Sequence, residues 1–305
     1  MKISVTGGAG FIGSHLVDRL IEQGHTVQVI DNLSTGSLSN VNEKAQFLNM
    51  DIRSSELTKV WAEFKPDYVF HEAAQTMVPV SMKDPALDCD VNLMGLINVL
   101  NSCVQNGVKK IIMPSSAAVY GDLDSLPLDE TMAGKPSSFY GLTKLTTESY
   151  LELYAKNFNL PYICFRYANV YGPRQGHGGE GGVISIYCEH LQKGQDLAIF
   201  GDGEQTRDFV YVDDVVEANL LALEKPEVTG IYNVSTEKST SLNELIGHFK
   251  DIVGKSFTVN YEAERAGDIK HSLLSIQKVH KDLAYSPKTE LRDGLEKTYN
   301  YFIKK

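Results

Sequence analysis

The segment from Lys2 to Glu22 constrains the fold of this chain more than any other. Lys2-Ile3-Ser4-Val5-Thr6 is a short apolar run suited to a buried strand, and it leads directly into Gly7-Gly8-Ala9-Gly10-Phe11-Ile12-Gly13. Beyond the glycines, Ile12, Leu16, Val17, Leu20 and Ile21 recur at helical spacing. Strand, glycine turn and helix in that order form the first unit of a parallel sheet with crossover helices. Gly7 permits a tight turn, Gly10 lets a pyrophosphate approach N–H groups at the helix N-terminus, and Gly13 lets helix pack on strand. The glycine spacing alone also occurs in α/β proteins that bind no dinucleotide. A second strand, Thr26-Val27-Gln28-Val29-Ile30, adds to it by ending at Asp31, 18 residues beyond Gly13, where an acid can hold both hydroxyls of an adenosine ribose. Asn32 and Leu33 follow rather than an arginine, and an acid here repels a 2'-phosphate, so NAD is expected over NADP.

Strand-like and helix-like segments keep alternating. Strands are expected at Ala45 to Asn49, Asp67 to His71, Lys110 to Met113 and Pro161 to Phe165, with helices near Ser55 to Phe64, Pro85 to Gln105 and after Tyr140. That alternation predicts an α/β fold, a Rossmann-like doubly wound parallel sheet covered by helices. Ligands of such sheets gather at the carboxyl ends of the strands, where Asp31, Asp51, Ala73, Ala74, Ser115, Ser116, Tyr167 and Asn169 fall. After about Phe165 the texture changes to a glycine-rich loop, Gly176 to Gly182, and shorter mixed segments. We expect residues 1–165 to form the nucleotide-binding domain and 166–305 a smaller mixed α/β substrate-binding lobe, with some later segments returning to the first.

Bulk properties narrow the partners. Over 305 residues the formal net charge is -10 and no Lys/Arg run exceeds two residues, which argues against nucleic acid and anionic membranes. Every apolar run is too short to span a bilayer, so a cytoplasmic protein with no membrane partner is expected. Cys89, Cys103, Cys164 and Cys188 lack C-x-x-C spacing and read as buried reduced thiols, and the eight histidines are scattered, so no metal site is expected.

In Ser138-Phe139-Tyr140-Gly141-Leu142-Thr143-Lys144, a spacing of four puts a phenol and an ammonium on one helix face. A nearby cation favours the phenolate and lowers a tyrosine pKa that is ordinarily about 10, making the phenol a usable acid or base. A tyrosine capping the core beside a snorkelling lysine has the same pattern.

Taken together, Thr6 to Gly13, Ser115-Ser116-Ala117-Ala118-Val119-Tyr120-Gly121, Tyr140-x-x-x-Lys144 and Arg166-Tyr167-Ala168-Asn169-Val170-Tyr171-Gly172-Pro173 resemble an extended short-chain dehydrogenase/reductase. Within that group the chain is most similar to the NAD-dependent UDP-glucose 4-epimerases. The likeness runs on through Ile199 to Val210 and Arg265 to Ser272 and so covers most of the chain. Fold, cofactor and reaction follow as expectations. The resemblance implies that Tyr140 takes the proton from the sugar 4-hydroxyl, that Lys144 lowers its pKa and holds the nicotinamide ribose, and that Ser116 bonds the reacting oxygen. It implies NAD contacts at Gly7, Gly10, Phe11, Ile12, Gly13, Asp31, Asn32, Asp51, Ile52, Ala73, Ala74, Asn92 and Tyr167. It assigns the UDP-sugar to Asn169, Arg207 and Arg265 around the diphosphate, Asp268 at the ribose, and Ala198 and Phe200 at the uracil, with Val183 as a further substrate contact. Without the resemblance, Arg207 and Arg265 read as surface ion-pair residues, Asn92 as a buried helix amide and Phe200 as core.

Departures from the pattern bear on the reaction. Ala117 and Ala118 stand where nucleotide-sugar dehydratases of the superfamily carry an Asp-Glu pair, which speaks against loss of water. Where many epimerases have a threonine, this chain has Ala118. Glu72 stands where an apolar residue is common and reads as a rim charge. Ser272, seven beyond Arg265, replaces the tyrosine of enzymes restricted to glucose and galactose, so N-acetylated sugars are expected to fit as well. Another NAD-dependent nucleotide-sugar reaction, such as uronate or pentose epimerisation or a reduction, is the alternative, and a silent NAD sensor is a third reading. The resemblance further implies a homodimer through a four-helix contact, with Leu93, Leu96, Leu100, Leu145 and Leu153 as candidate apolar surface, though from sequence alone they could equally face the sheet.

Overall fold

Lys2–Thr6 forms strand β1 and the glycine turn feeds helix α1 (Phe11–Glu22), in a computed structural model that describes residues 1–123, 125–132, 134–176, 181–264 and 269–304. β2 (Thr26–Asp31), β3 (Gln46–Asn49), α2 (Leu57–Phe64) and β4 (Tyr68–His71) continue the alternation. Next come α3 (Val78–Lys83), α4 (Pro85–Cys89) and α5 (Gly95–Gln105). The expected long helix from Pro85 to Gln105 is therefore broken in its ladder, because a π-helical turn over Asp90–Met94 joins α4 to α5. Such turns are uncommon and cluster at functional sites. β5 (Lys110–Ser116), α6 (Phe139–Phe158) and β6 (Tyr162–Tyr167) complete the first half.

In the second half are β7 (Asn169–Tyr171), α7 (Val183–Gln192), β8 (Leu197–Phe200), β9 (Thr206–Arg207), β10 (Phe209–Tyr211), α8 (Val212–Glu224) and β11 (Gly230–Val234). β12 (Thr240–Ser241), α9 (Leu242–Val253), β13 (Val259–Glu262), α10 (Gln277–Leu283) and α11 (Leu291–Ile303) follow. β11 returns to the main sheet beside β6, so seven strands lie in the order β11-β6-β5-β4-β1-β2-β3, with every pairing parallel. Two short parallel pairs, β10 with β7 and β13 with β8, and an antiparallel pair, β12 with β9, build the smaller lobe.

Burial of both sheet faces explains the near-continuous apolar strands. One face packs Leu16, Val17, Leu20 and Val215 from α1 and α8 against Ile3, Val5 and Phe165. On the other, α2, α5 and α6 bring Trp61, Leu96, Leu100 and Leu151 onto Ile30, Val69 and Ile111. A separate cluster around Tyr187, Leu197, Phe209, Leu245 and Phe249 fills the second lobe. Strand order reverses between β1 and β4, and a ligand crevice is expected outside the carboxyl ends of the strands at that point. Among the described residues no helix is long and apolar enough to cross a membrane.

Candidate active site

The crevice at the reversal is walled by backbone. Gly7 has φ +71°, and a Cβ there would meet Ala73 N at 2.5 Å, so β1 and β4 approach too closely for any other residue. A Cβ on Gly13 would lie 2.2 Å from Gly7 O, which keeps α1 tight against the turn. α1 starts at Gly10 with no side-chain cap and no acid in its first turn. Its first N–H groups lack intrahelical partners, and the helix dipole favours an anion there, so the turn fits a dinucleotide pyrophosphate. Asp31, buried, accepts from Ala9 N at 3.0 Å and Leu33 N at 2.8 Å, fixing its carboxylate beside the turn. Asn32 donates to Asp51 at 2.9 Å, and the Arg53 guanidinium on Asp51 holds that carboxyl far below the ordinary range. Ile52 is buried against Gly95, and Ile12 packs into the core, so both can face a ligand through their backbone only. Phe11 lies edge-on to His15.

Beyond the crevice, β5 and α6 bring Ser116, Tyr140 and Lys144 together. Ser138 caps α6 by accepting from Gly141 N at 3.1 Å, and Ser81 of α3 accepts from Tyr140 N at 3.1 Å. The absent side chain of Gly141 lets the helix start press on the turn after β5: a Cβ there would lie 2.5 Å from Ala118 O. The Ser116 hydroxyl is thereby brought near the Tyr140 phenol, whose pKa it lowers. Lys144, 3 % exposed, donates to Pro114 O at 3.2 Å, with Nζ 5.9 Å from the Tyr140 ring centroid.

One expectation is corrected here. The Tyr140 phenol stands above its ordinary range: burial pushes it up to about 12, the Ser116 hydroxyl pulls it down and the Asp88 carboxylate raises it. Burial pulls the Lys144 pKa down, and the Glu72, Asp88 and Glu148 carboxylates raise it. Glu72 is likewise no rim charge: its Oε1 is shielded from solvent without a hydrogen-bond partner, and burial raises the carboxyl to about 7. Of the four thiols, Cys89 is exposed rather than buried, since α4 turns it outward.

Other expected contacts are spread along the cleft. Asn92 is buried with its amide spent on Gln75 N, Gln75 O and Asp88, and the Tyr167 hydroxyl accepts from Asn219 at 2.7 Å. Ala74 lies on the connection after β4, next to Gln75. Asn169 is exposed at the start of β7 and Val183 opens α7. A separate cleft of about 390 Å³ is lined by Phe200, Gln205, Ile269, Lys270 and His271 together with Asp202, Glu204 and Glu264. Arg207 flanks it, donating to Thr206 O at 2.9 Å and Lys270 O at 3.3 Å, and Ala198 O accepts from Tyr187. Ser272 is buried, its N–H bonded to Thr206 O at 3.2 Å. Arg265 and Asp268 lie outside the described residues, as do 177–180 of the glycine-rich loop.

Residues 3–235 match the NAD dependent epimerase/dehydratase family. The chain belongs to it. A putative UDP-glucose 4-epimerase of Methanocaldococcus jannaschii is 44% identical over 98% of this chain and 97% of its own. The UDP-glucose 4-epimerase of Thermotoga maritima, solved with UDP-glucose, superposes with a TM-score of 0.97 at 44% identity, covering 100% of this chain and 99% of that one. A UDP-N-acetylglucosamine 4-epimerase from Methanobrevibacter ruminantium, in complex with UDP-N-acetylmuramic acid, gives 0.95 at 36% identity over 99% and 98%.

Sequence reasoning missed two groups behind this family's site. Asp88, fully buried, accepts from Gln75 at 2.6 Å, Thr143 at 2.8 Å and Asn92 at 3.1 Å, tying the π-turn to α6. Glu148 takes a forked pair from Arg166 at 2.9 and 2.7 Å and the Ser115 hydroxyl at 2.6 Å. The available signal was spacing: Asp88 precedes Asn92 by four and Glu148 follows Lys144 by four, one helix turn each.

Proposed function

We propose that this protein is a 4-epimerase of UDP-hexoses that uses NAD, interconverting UDP-glucose and UDP-galactose. The observation that carries it is the Ser116 hydroxyl near the Tyr140 phenol, with Lys144 Nζ 5.9 Å from the Tyr140 ring, beside an uncapped glycine turn. Gly7, Gly10, Phe11, Ile12 and Gly13 hold the pyrophosphate through backbone groups. Asp31 and Asn32 take the adenosine ribose and Asp51 and Ile52 the adenine. Ala73, Ala74, Asn92, Tyr167 and Lys144 line the nicotinamide half. NAD bound there supplies a reversible acceptor for the hydride on C4. Tyr140 moves the proton of the 4-hydroxyl and Ser116 holds that oxygen. Because the phenol sits at about 12, it gives up its proton only where extra positive charge is brought next to it. Phe200 and Ala198 bind the uracil, and Arg207, Asn169, Val183, Arg265 and Asp268 the diphosphate and ribose, a task suited to forked guanidinium donors.

Incubation with UDP-galactose alone tests the reaction. UDP-glucose should form with no build-up of free NADH, since oxidation and re-reduction cancel; NADH accumulating in step with product would make the protein a dehydrogenase instead. The pocket also takes N-acetylated sugars, a reading supported by the small buried Ser272 and by the likeness to the Methanobrevibacter ruminantium enzyme. Ser272→Tyr should then lose activity on UDP-GlcNAc by about 1–3 kcal/mol of overpacking and spare UDP-galactose. Equal activity of that variant on both sugars would exclude Ser272 as the discriminator. The working protein is a homodimer joined through α3, the α4–α5 helix and α6.

A further inference from the structure

Three carboxylates face the Lys144 ammonium, from Glu72, Asp88 and Glu148. Asp88 is satisfied by Gln75, Asn92 and Thr143, and Glu148 by Arg166 and Ser115. Glu72 differs: its Oε1 is closed off from solvent and has no partner. A carboxyl oxygen left bare inside a protein costs about 1–3 kcal/mol or more, so groups of this kind persist where a ligand or a proton completes them. Position supports a ligand. Glu72 follows β4 directly, its N–H bonded to Thr6 O, at the strand reversal where Gly7 and Ala73 wall the crevice. The charged or titratable groups that act on it or on which it acts are Lys144 from α6 and Tyr167 from β6, while His71 on β4 is kept neutral by burial and bonded to Thr6.

We propose that Glu72 is a charge-reading contact of the bound nicotinamide, losing its proton when the cationic oxidised cofactor binds and keeping it when the neutral reduced form binds, a placement that rests on the cofactor reading above. The balance is simple. The Glu72 carboxylic acid becomes a carboxylate, its proton passes to buffer, and no electron moves. A carboxyl that burial holds at about 7 is half-protonated at neutral pH, so one added positive charge nearby is enough to tip it. The consequence is discrimination: the site binds the oxidised cofactor more tightly as pH rises and the reduced one without that gain.

Calorimetric titration of NAD and of NADH into the nucleotide-free full-length protein, each in two buffers of different ionisation enthalpy, counts the protons released. Near pH 6.5, NAD should release up to about one proton and NADH none, with the NAD affinity rising toward tenfold per pH unit below the Glu72 titration. Release should fade above about pH 8.5, the opposite of what loss of a proton from Tyr140 or Lys144 would give. Tyr140→Phe should keep the release near pH 6.5, and Glu72→Gln should abolish it. The same proton count for both nucleotides in the wild type, or release retained in Glu72→Gln, would overturn the proposal while leaving the cofactor reading intact. Failure of either nucleotide to bind would overturn the cofactor reading itself.

Discussion

Tyr140, the proposed proton carrier, holds its own proton tightly, at about 12, because burial and Asp88 outweigh the pull of the Ser116 hydroxyl. Tyr140→Phe keeps the ring and removes the hydroxyl. Turnover should fall by roughly 10²- to 10⁴-fold with UDP binding unchanged, as seen in kcat against a separate UDP titration; near-normal turnover would move the role to Ser116 or water. Glu72 gives a pH signature in stability as well. Its folded pKa, about 7, lies above its ordinary value of 4.5, so its contribution is fully present below about 4.5 and is lost as pH rises through 7. Glu72→Gln abolishes that dependence. In urea unfolding of the nucleotide-free protein, the variant's advantage over wild type should therefore grow from pH 4.5 to above 7, by roughly 3 kcal/mol; a constant gap would show that the carboxyl does not titrate there. At this scale the glycine turn, Asp31 at the end of β2 and the shared helix of Tyr140 and Lys144 were legible from local spacing, and Ser116 from its place at the end of a strand. The Glu72 environment was not, since the groups around it come from α6 and β6, far along the chain.

Elements decide how firmly those residues are held. α6 presents Tyr140, Lys144 and Glu148 at intervals of four, so one helix carries the phenol proposed to react, a cation and the buried anchor behind them. The anchor is the Glu148–Arg166 pair, with side chains 4 % and 6 % exposed, and Arg166 also lies over the Tyr120 ring at 4.7 Å. Removing one partner leaves an uncompensated buried charge. Glu148→Gln should cost about 3–5 kcal/mol in the unfolding midpoint, whereas Glu148→Leu combined with Arg166→Met should recover most of it; equal loss in both would mean packing, not charge, dominates. The helix, the parallel sheet and the glycine turn could be read ahead of the structure because hydrophobic period and glycine spacing are local, whereas the strand order could not. The π-turn could not: Asp90–Met94 has ordinary helical composition, and only the bonds of Asp88 and Asn92 to Gln75 and Thr143 account for the widened ladder.

For the molecule as a whole, the helices that cover one face of the sheet have a second side. Leu96 and Leu100, expected as candidate apolar surface, are fully buried against the sheet, because α5 must cover β4 and β5. Leu145 packs on Val119 and Tyr120 instead. Only Leu153 among the clearly exposed ones was anticipated, and with it Leu142 and Phe158 on α6, Met82 on α3 and Met94 in the π-turn stand out, each about half exposed at 49 to 56%. Sequence periodicity marks apolar positions but does not say which of two apolar faces meets the sheet, and that is why the surface set stayed open until the structure divided it. α3, α4 and the π-turn all pack on α6, and Leu142 and Leu153 lie on one face of that helix. Exposed apolar side chains of this size support the proposed dimer, since monomers rarely expose contiguous apolar patches beyond a few hundred Å². An antiparallel pairing of these helices across a two-fold axis would bring each face onto its own copy. Sedimentation at micromolar concentration should therefore give a dimer. Leu142→Glu with Leu153→Glu should shift it to monomer while leaving the far-UV helix signal intact, because neither side chain belongs to a buried cluster. A wild type that stays monomeric at that concentration would leave the face without its second copy and end the dimer reading.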